Sequence, residues 1–112
     1  KNGQYNPPVL GIDVDDAINR RLVRAFGIEG AYVLGVRPNT GAAQVGLKGP
    51  TRDRNGAVVP GDIIMAIDDQ PVPTVAKLLS TLDAYSPGQA VRVTIRRGKQ
   101  TIDKRVPLQS SD

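Results

Sequence analysis

The chain has 112 residues, 39% of them hydrophobic and 23% charged, with 15 basic against 11 acidic side chains for a net charge of +4. That length suits one domain with a real core. It contains no cysteine and no histidine, which excludes thiol catalysis, disulfides, cysteine-based metal sites and any Ser-His-Asp triad built from this chain alone.

Residues 1–8 are polar and close on Pro7-Pro8, so they read as a linker in extended geometry. No apolar leader follows Lys1, and the sequence is read as a piece cut from a longer protein. Val9 to Val14 predicts a short strand interrupted by Gly11. Asp15 or Asp16 then caps a helix on which Ile18, Leu22 and Phe26 recur at helical spacing, with Gly27 just past its end. Ala31 to Val36 reads as a buried strand stopped by Arg37-Pro38-Asn39. Asn39 or Thr40 caps a short helix through Ala42, Ala43 and Val45, closed by Gly46 and followed by Leu47 as an anchor to the core.

Residues 50–59 predict a polar hairpin standing off the body, with Asn55-Gly56 expected in a type I′ turn. Pro60-Gly61-Asp62 turns the chain into Ile63 to Ile67, apolar enough for a central strand, and Asp68-Asp69-Gln70 turns it again. A helix capped by Thr74 carries Val75, Leu78, Leu79 and Leu82 as an apolar stripe and stops at Ser86-Pro87-Gly88. Val91, Val93 and Ile95 alternate with polar residues in a half-buried strand, and Gly98 turns into a last strand ending near Leu108. Residues 109–112 are expected to fray. The sum is a mainly β (α+β) domain: a small curved sheet or partly open barrel capped by two or three helices.

Two basic groups, Arg20/Arg21/Arg24 and Arg96/Arg97/Lys99, contain none of the aromatics that stack on bases, so both read as solvated faces and no nucleic-acid partner is expected. Asp62 and Asp68-Asp69 read as turn formers beside Gly and Pro, not as a metal site, and no cofactor is expected. No apolar run is long enough to cross a bilayer as a helix, so no direct membrane insertion is expected.

Leu10-Gly11-Ile12, then Thr40-Gly41-Ala42-Ala43 with Gly46-Leu47, then Gly61-Asp62-Ile63-Ile64 with Ala66-Ile67-Asp68 and Pro71-Val72, then Leu78, Leu82 and Pro87-Gly88, together resemble the PDZ domain of HtrA/Deg-type serine proteases. The resemblance spans residues 9–108, with 15–27 as a helical insertion and 50–59 as a hairpin insertion, and implies the bacterial-type strand order. It implies a module that binds C-terminal or extended apolar peptide segments of unfolded proteins by strand addition, and that feeds or regulates a protease domain of the same chain. Such parents work in the periplasm or another extracytoplasmic space and can be homo-oligomers. Alternative roles are assembly or gating through subunit contacts, and a scaffold unrelated to proteolysis.

The residues the resemblance selects are Val9, Leu10, Gly11 and Ile12 as a carboxylate loop, Ile12, Asp13 and Val14 as the peptide-pairing strand, and Val75, Leu79 and Leu82 as the groove wall, with Leu78 assigned to the core. Gly11 taken alone fits a strand bulge equally well. In one respect the chain departs from the family. A basic residue often precedes the loop, whereas here Tyr5, Asn6, Pro7 and Pro8 stand there. Backbone donors alone, Lys1, or Arg37 are the alternatives for meeting a carboxylate. The helix at 15–27 is placed where it can cover part of the groove.

Overall fold

The computed structural model describes residues 8–110; residues 1–7 and 111–112, with most of the expected lead-in and half of the expected tail, lie outside them. The elements in chain order are β1 (Pro8–Val9), β2 (Ile12–Asp13), α1 (Asp16–Phe26), β3 (Ala31–Tyr32), β4 (Gly35–Val36) and α2 (Gly41–Gln44). They continue with β5 (Thr51–Arg52), β6 (Val58–Val59), β7 (Ile63–Ile67), β8 (Gln70–Pro71), α3 (Val75–Leu82), β9 (Ala90–Arg97), β10 (Gln100–Pro107) and β11 (Gln109–Ser110).

The central sheet is antiparallel in the order β10-β9-β7-β3, with β8 folded back on β7, and it stays open instead of closing into a barrel. Its apolar face supplies Ile64, Ile67, Val91, Val93, Ile95 and Val106, onto which α3 lays Leu78 and Leu82 and the α2 region lays Ala42 and Leu47. The alternation in β9 is the expected one, since Val91, Val93 and Ile95 are buried while Arg92 is exposed. Three short ladders surround this sheet: β1 with β11, β2 with β4, and β5 with β6.

Helix ends match the residues that can make them. Asp15, Thr40 and Thr74 each accept an amide three residues on, and Gly27 closes α1 at φ +72°. Four other features differ from the sequence reading. The segment Ala31–Val36 is two strands serving two sheets, because Tyr32 pairs with β7 whereas Gly35 and Val36 pair with β2. At 53–56, Asn55 keeps ordinary negative φ and only Gly56 turns left-handed, at +83°. The Asp53 carboxylate accepts the amides of both Asn55 and Ala57 and so templates a right-handed turn with a glycine bulge in place of type I′. Gln109 and Ser110, expected to fray, pair with Val9 and Pro8, and the Gln109 side chain accepts the Gly41 amide.

The fourth difference concerns α1. Ile18 and Phe26 are both 40% exposed, and the buried residue on this helix is Asn19. Its amide donates to the Gly30 carbonyl at 2.9 Å and accepts the Tyr32 amide at 2.8 Å. Asn19 therefore stands in for a neighbouring strand along the edge of β3 that β7 does not use. A polar clip, not an apolar stripe, sets the docking of α1, with Phe26 stacked on Tyr32 beside it.

Asp62, read as a turn residue, is a buried hub. Its carboxylate takes a two-pronged ion pair from Arg97, at 2.8 and 2.9 Å, and accepts the Lys48 amide at 2.9 Å. Its own amide donates to the Lys48 carbonyl and its carbonyl accepts the Val33 amide. Arg97, half-buried and not a free member of a basic face, also donates to the Gly46 carbonyl. Asp62→Ala strands Arg97 and the Lys48 amide together, and urea unfolding is expected to show a loss of about 3 kcal/mol.

A second carboxylate links stability to pH. Asp68 accepts the Tyr85 hydroxyl at 2.7 Å and the Arg92 amide at 2.8 Å, and these bonds, the hydroxyl foremost, lower its pKa. A lowered carboxyl pKa stabilises the fold above the unfolded-state value, and that contribution is lost as pH falls through the folded one. Unfolding free energy should therefore decline as pH is taken from about 5 to below about 4, and Tyr85→Phe should flatten that acid limb.

Candidate functional site

Leu10 and Gly11 separate β1 from β2, and both carbonyls point back into the protein. The Leu10 carbonyl accepts the Ala42 amide from α2 at 2.9 Å, and the Gly11 carbonyl accepts the Arg37 amide at 2.8 Å. All described peptide bonds are trans, so each N–H points opposite to the carbonyl of the residue before it. Anchoring these two carbonyls inward turns the amides of Gly11 and Ile12 outward. Among the described residues, the loop amides of Leu10 and Gly11 meet no acceptor. Successive outward amides are a ready cradle for an anion or a terminal carboxylate.

The geometry needs glycine at position 11. Gly11 has φ +97°, and a Cβ there would lie 2.2 Å from the Thr40 Cβ. Thr40 is itself fixed, since its hydroxyl donates to the Arg37 carbonyl at 2.7 Å and accepts the Ala43 amide at 3.2 Å. Sequence reasoning found Thr40 only as a helix cap; its second duty, walling the loop, comes from a contact across the fold.

Beyond the loop, β2 is paired on one side by β4, and its other edge is free of strand pairing among the described residues. Along this edge runs an apolar cleft of about 70 Å³. One side is Pro8, Val9, Leu10, Ile12 and Val14, and the other is Leu78, Leu79 and Leu82 of α3. Leu79, 53% exposed, stands at the mouth, while Leu78 and Leu82 are core residues that form the floor.

The loop and strand residues singled out in the sequence thus come together. Val9, Leu10, Ile12 and Val14 all line the cleft, Gly11 sits at its end, and Asp13 alternates away onto β4, its carboxylate lying over Gly35. On the helix, Leu79 and Leu82 line it but Val75 does not. Val75 is buried in the first turn of α3, and the cleft reaches only the later turns, where Leu78 takes the place expected of Val75. No residue of α1 lines the cleft.

At the loop end the cleft adjoins a cavity of about 290 Å³ lined by Val9, Gly11, Ile12 and Arg37. Two other hollows lack the outward amides: one of about 340 Å³ between α1 and the start of α3, and an apolar one of about 250 Å³ between α1 and the β5–β6 hairpin. Among the described residues no group of acidic side chains is arranged to hold a metal ion.

Comparison with known proteins places this geometry in context. A family model described as PDZ domain matches residues 8–108. Protease Do-like 8, chloroplastic, of Arabidopsis thaliana is 40% identical over 80 residues, which is 71% of this chain and 18% of that protein. The periplasmic pH-dependent serine endoprotease DegQ of Escherichia coli (strain K12) is 27% identical over 112 residues, 97% of this chain and 22% of that protein. The chain therefore spans about a fifth of the length of these two relatives. Among solved structures, the HtrA-type protease AlgW with decapeptide superposes at TM-score 0.71 with 23% identity, covering 97% of this chain and 31% of that one. The HtrA3 PDZ domain bound to a phage-derived ligand superposes at 0.64 with 18% identity, covering 95% and 88%. These two likenesses show a shared fold.

Gly11→Ala combines positive φ with a backbone-held neighbour, and should lower stability by about 2 kcal/mol or more. Gly46→Ala is the control: its φ is +81°, but a Cβ meets nothing within 4 Å, so only the conformational cost of about 1 kcal/mol is expected. Chemical denaturation of the two variants side by side checks both values.

Proposed function

The chain belongs to the PDZ domain family, and from that premise we propose that it binds an extended peptide as an added strand on the free edge of β2. The observation that carries the reading is the adjacency of two things a peptide end requires. The outward amides after Leu10 and Gly11 suit a terminal carboxylate, and the cleft beside them suits one apolar side chain. In this reading Ile12 and Val14 offer main-chain groups to the ligand, Leu78 and Leu82 floor the cleft, and Leu79 closes over the last ligand residue.

Binding of this kind is modest. Burying one apolar side chain contributes about 1.5–3 kcal/mol, and the main-chain bonds must offset the ordering of a flexible chain, so a dissociation constant on the order of micromolar is expected. The parent protein is proposed to be an HtrA-type serine endopeptidase. Relatives of that description share this domain, and the catalytic triad belongs to a separate protease domain, since this chain has no histidine. The domain would then deliver substrates or a regulatory signal. An extracytoplasmic setting is proposed on the same footing, with the relatives described as chloroplastic or periplasmic.

A second reading, contact with another subunit or domain of the parent, is supported by one feature. Ile18 and Val58, 40% and 45% exposed, border the apolar hollow between α1 and the hairpin. Removing Arg52 to Ala57 from the full-length parent and measuring oligomer mass separates the two roles. Unchanged mass counts against the hairpin as an assembly element.

The chain lacks Trp, so binding is read from dye-labelled peptides ending in an apolar residue, by fluorescence anisotropy. Leu79→Arg places a charge at the cleft mouth, on an exposed position where the fold tolerates it, and is expected to weaken binding at least tenfold. Unchanged affinity would rule out this cleft as the site.

A further inference from the structure

β4 ends at Val36, and Arg37 follows it directly across the ladder from the loop. The Arg37 amide holds the Gly11 carbonyl at 2.8 Å, so its Cα is fixed one hydrogen bond away from the amides that face outward. Its side chain is 70% exposed and borders the 290 Å³ cavity with Val9, Gly11 and Ile12. Among the described residues its side chain makes one hydrogen bond: Nε donates to Asp13 Oδ1 at 3.0 Å. Asp13 reaches that position because its cross-strand partner is Gly35, over which its carboxylate lies. A guanidinium has five N–H donors, and this contact uses one of them.

From this arrangement, and resting on the peptide-binding reading above, we infer that Arg37 supplies the cationic partner of the ligand's terminal carboxylate, and that Asp13 competes with the ligand for it. The cradle of neutral amides then gains a full positive charge from the strand opposite, not from the segment before the loop. The Asp13 carboxylate holds the guanidinium through its Nε. A ligand carboxylate seated at the Gly11 and Ile12 amides offers an anion better placed for the remaining donors, because it is fixed by those amides as well. Arg37 therefore discriminates a free chain end from an internal segment, and Asp13 lowers that discrimination by neutralising the same guanidinium.

The inference separates cleanly from the reading on which it rests when each apolar-ended peptide is measured both as the free acid and as the C-terminal amide. In the wild-type domain the acid is expected to bind more tightly. Arg37→Gln should cut the acid-to-amide ratio about fivefold, as suits an exposed charge pair, and leave amide binding unchanged. Arg37→Lys should keep most of the ratio. Asp13→Asn should raise acid affinity two- to threefold without altering the amide, and the acid advantage should shrink as salt is raised. An unchanged ratio in Arg37→Gln overturns the assignment, as does a loss of acid and amide binding in equal measure, which would mark Arg37 as merely structural. Wild-type protein that binds neither form overturns the peptide-binding reading itself and this inference with it.

Discussion

A carboxylate with no exposure to water, Asp62, sits at the start of the central strand, and much of the fold is hung from it. Its ion pair with Arg97 ties the end of β9 to the start of β7, and its bonds to Lys48 tie both to the segment after α2. Arg97 extends the same tie to the Gly46 carbonyl at the close of α2. With α2 held, its Ala42 amide holds the Leu10 carbonyl, and the loop amides are turned outward as a result. A chain of hydrogen bonds thus runs from the interior to the site, and every link is between groups that would be costly to leave unpaired. The rim of the cleft owes its shape to this network as much as to the apolar core beneath it.

How much of this was legible from the residues depends on how local each cause is. The caps at Asp15, Thr40 and Thr74 and the stop at Gly27 were readable, because a cap and its amide are three residues apart. β7 and β9 were readable from their apolar patterns, and the break between β1 and β2 from Gly11. What escaped was set by distant partners. Asp62 looks like any turn aspartate until Arg97, 35 positions on, comes to face it. Asn19 looks like a surface residue of α1, and nothing local says that β3 will present it with a bare edge. The turn at Asn55-Gly56 departs from type I′ because Asp53, outside the dipeptide, decides its hand. On α3, four apolar residues at helical spacing could not reveal which would face the cleft, since that depends on how far along the helix the cleft runs.

The edges of the strands explain why one face of the molecule is available for an added strand and another is not. β3 has a second edge as β2 does, but the side-chain amide of Asn19 occupies it, donor to acceptor and acceptor to donor. β2 is left with its edge beside α3. An open edge is a hazard for unselective pairing, and here it is short, only Ile12 and Asp13 being regular strand. It is also confined between the apolar helix wall and the tight Gly11 loop. On the proposed peptide-binding reading, selectivity would follow from confinement: a partner would have to be a single extended chain that ends or turns where the loop closes the cleft.

The β1–β11 ladder has a mechanical meaning. Pro8 pairs with Ser110 and Val9 with Gln109, so the two ends of the described fold lie side by side at one corner. Tension applied between those ends loads the ladder as a zipper, one pair after another, and two pairs resist far less than the long β9–β10 pairing in the core. Once the Pro8–Ser110 pair opens, the pull reaches Val9, which lines both the cleft and the cavity beside it, and Gln109, whose side chain accepts the first amide of α2. A two-pair seam of the domain therefore borders the candidate site, and force applied between the two described ends would reach the cleft before it reached the β9–β10 pairing.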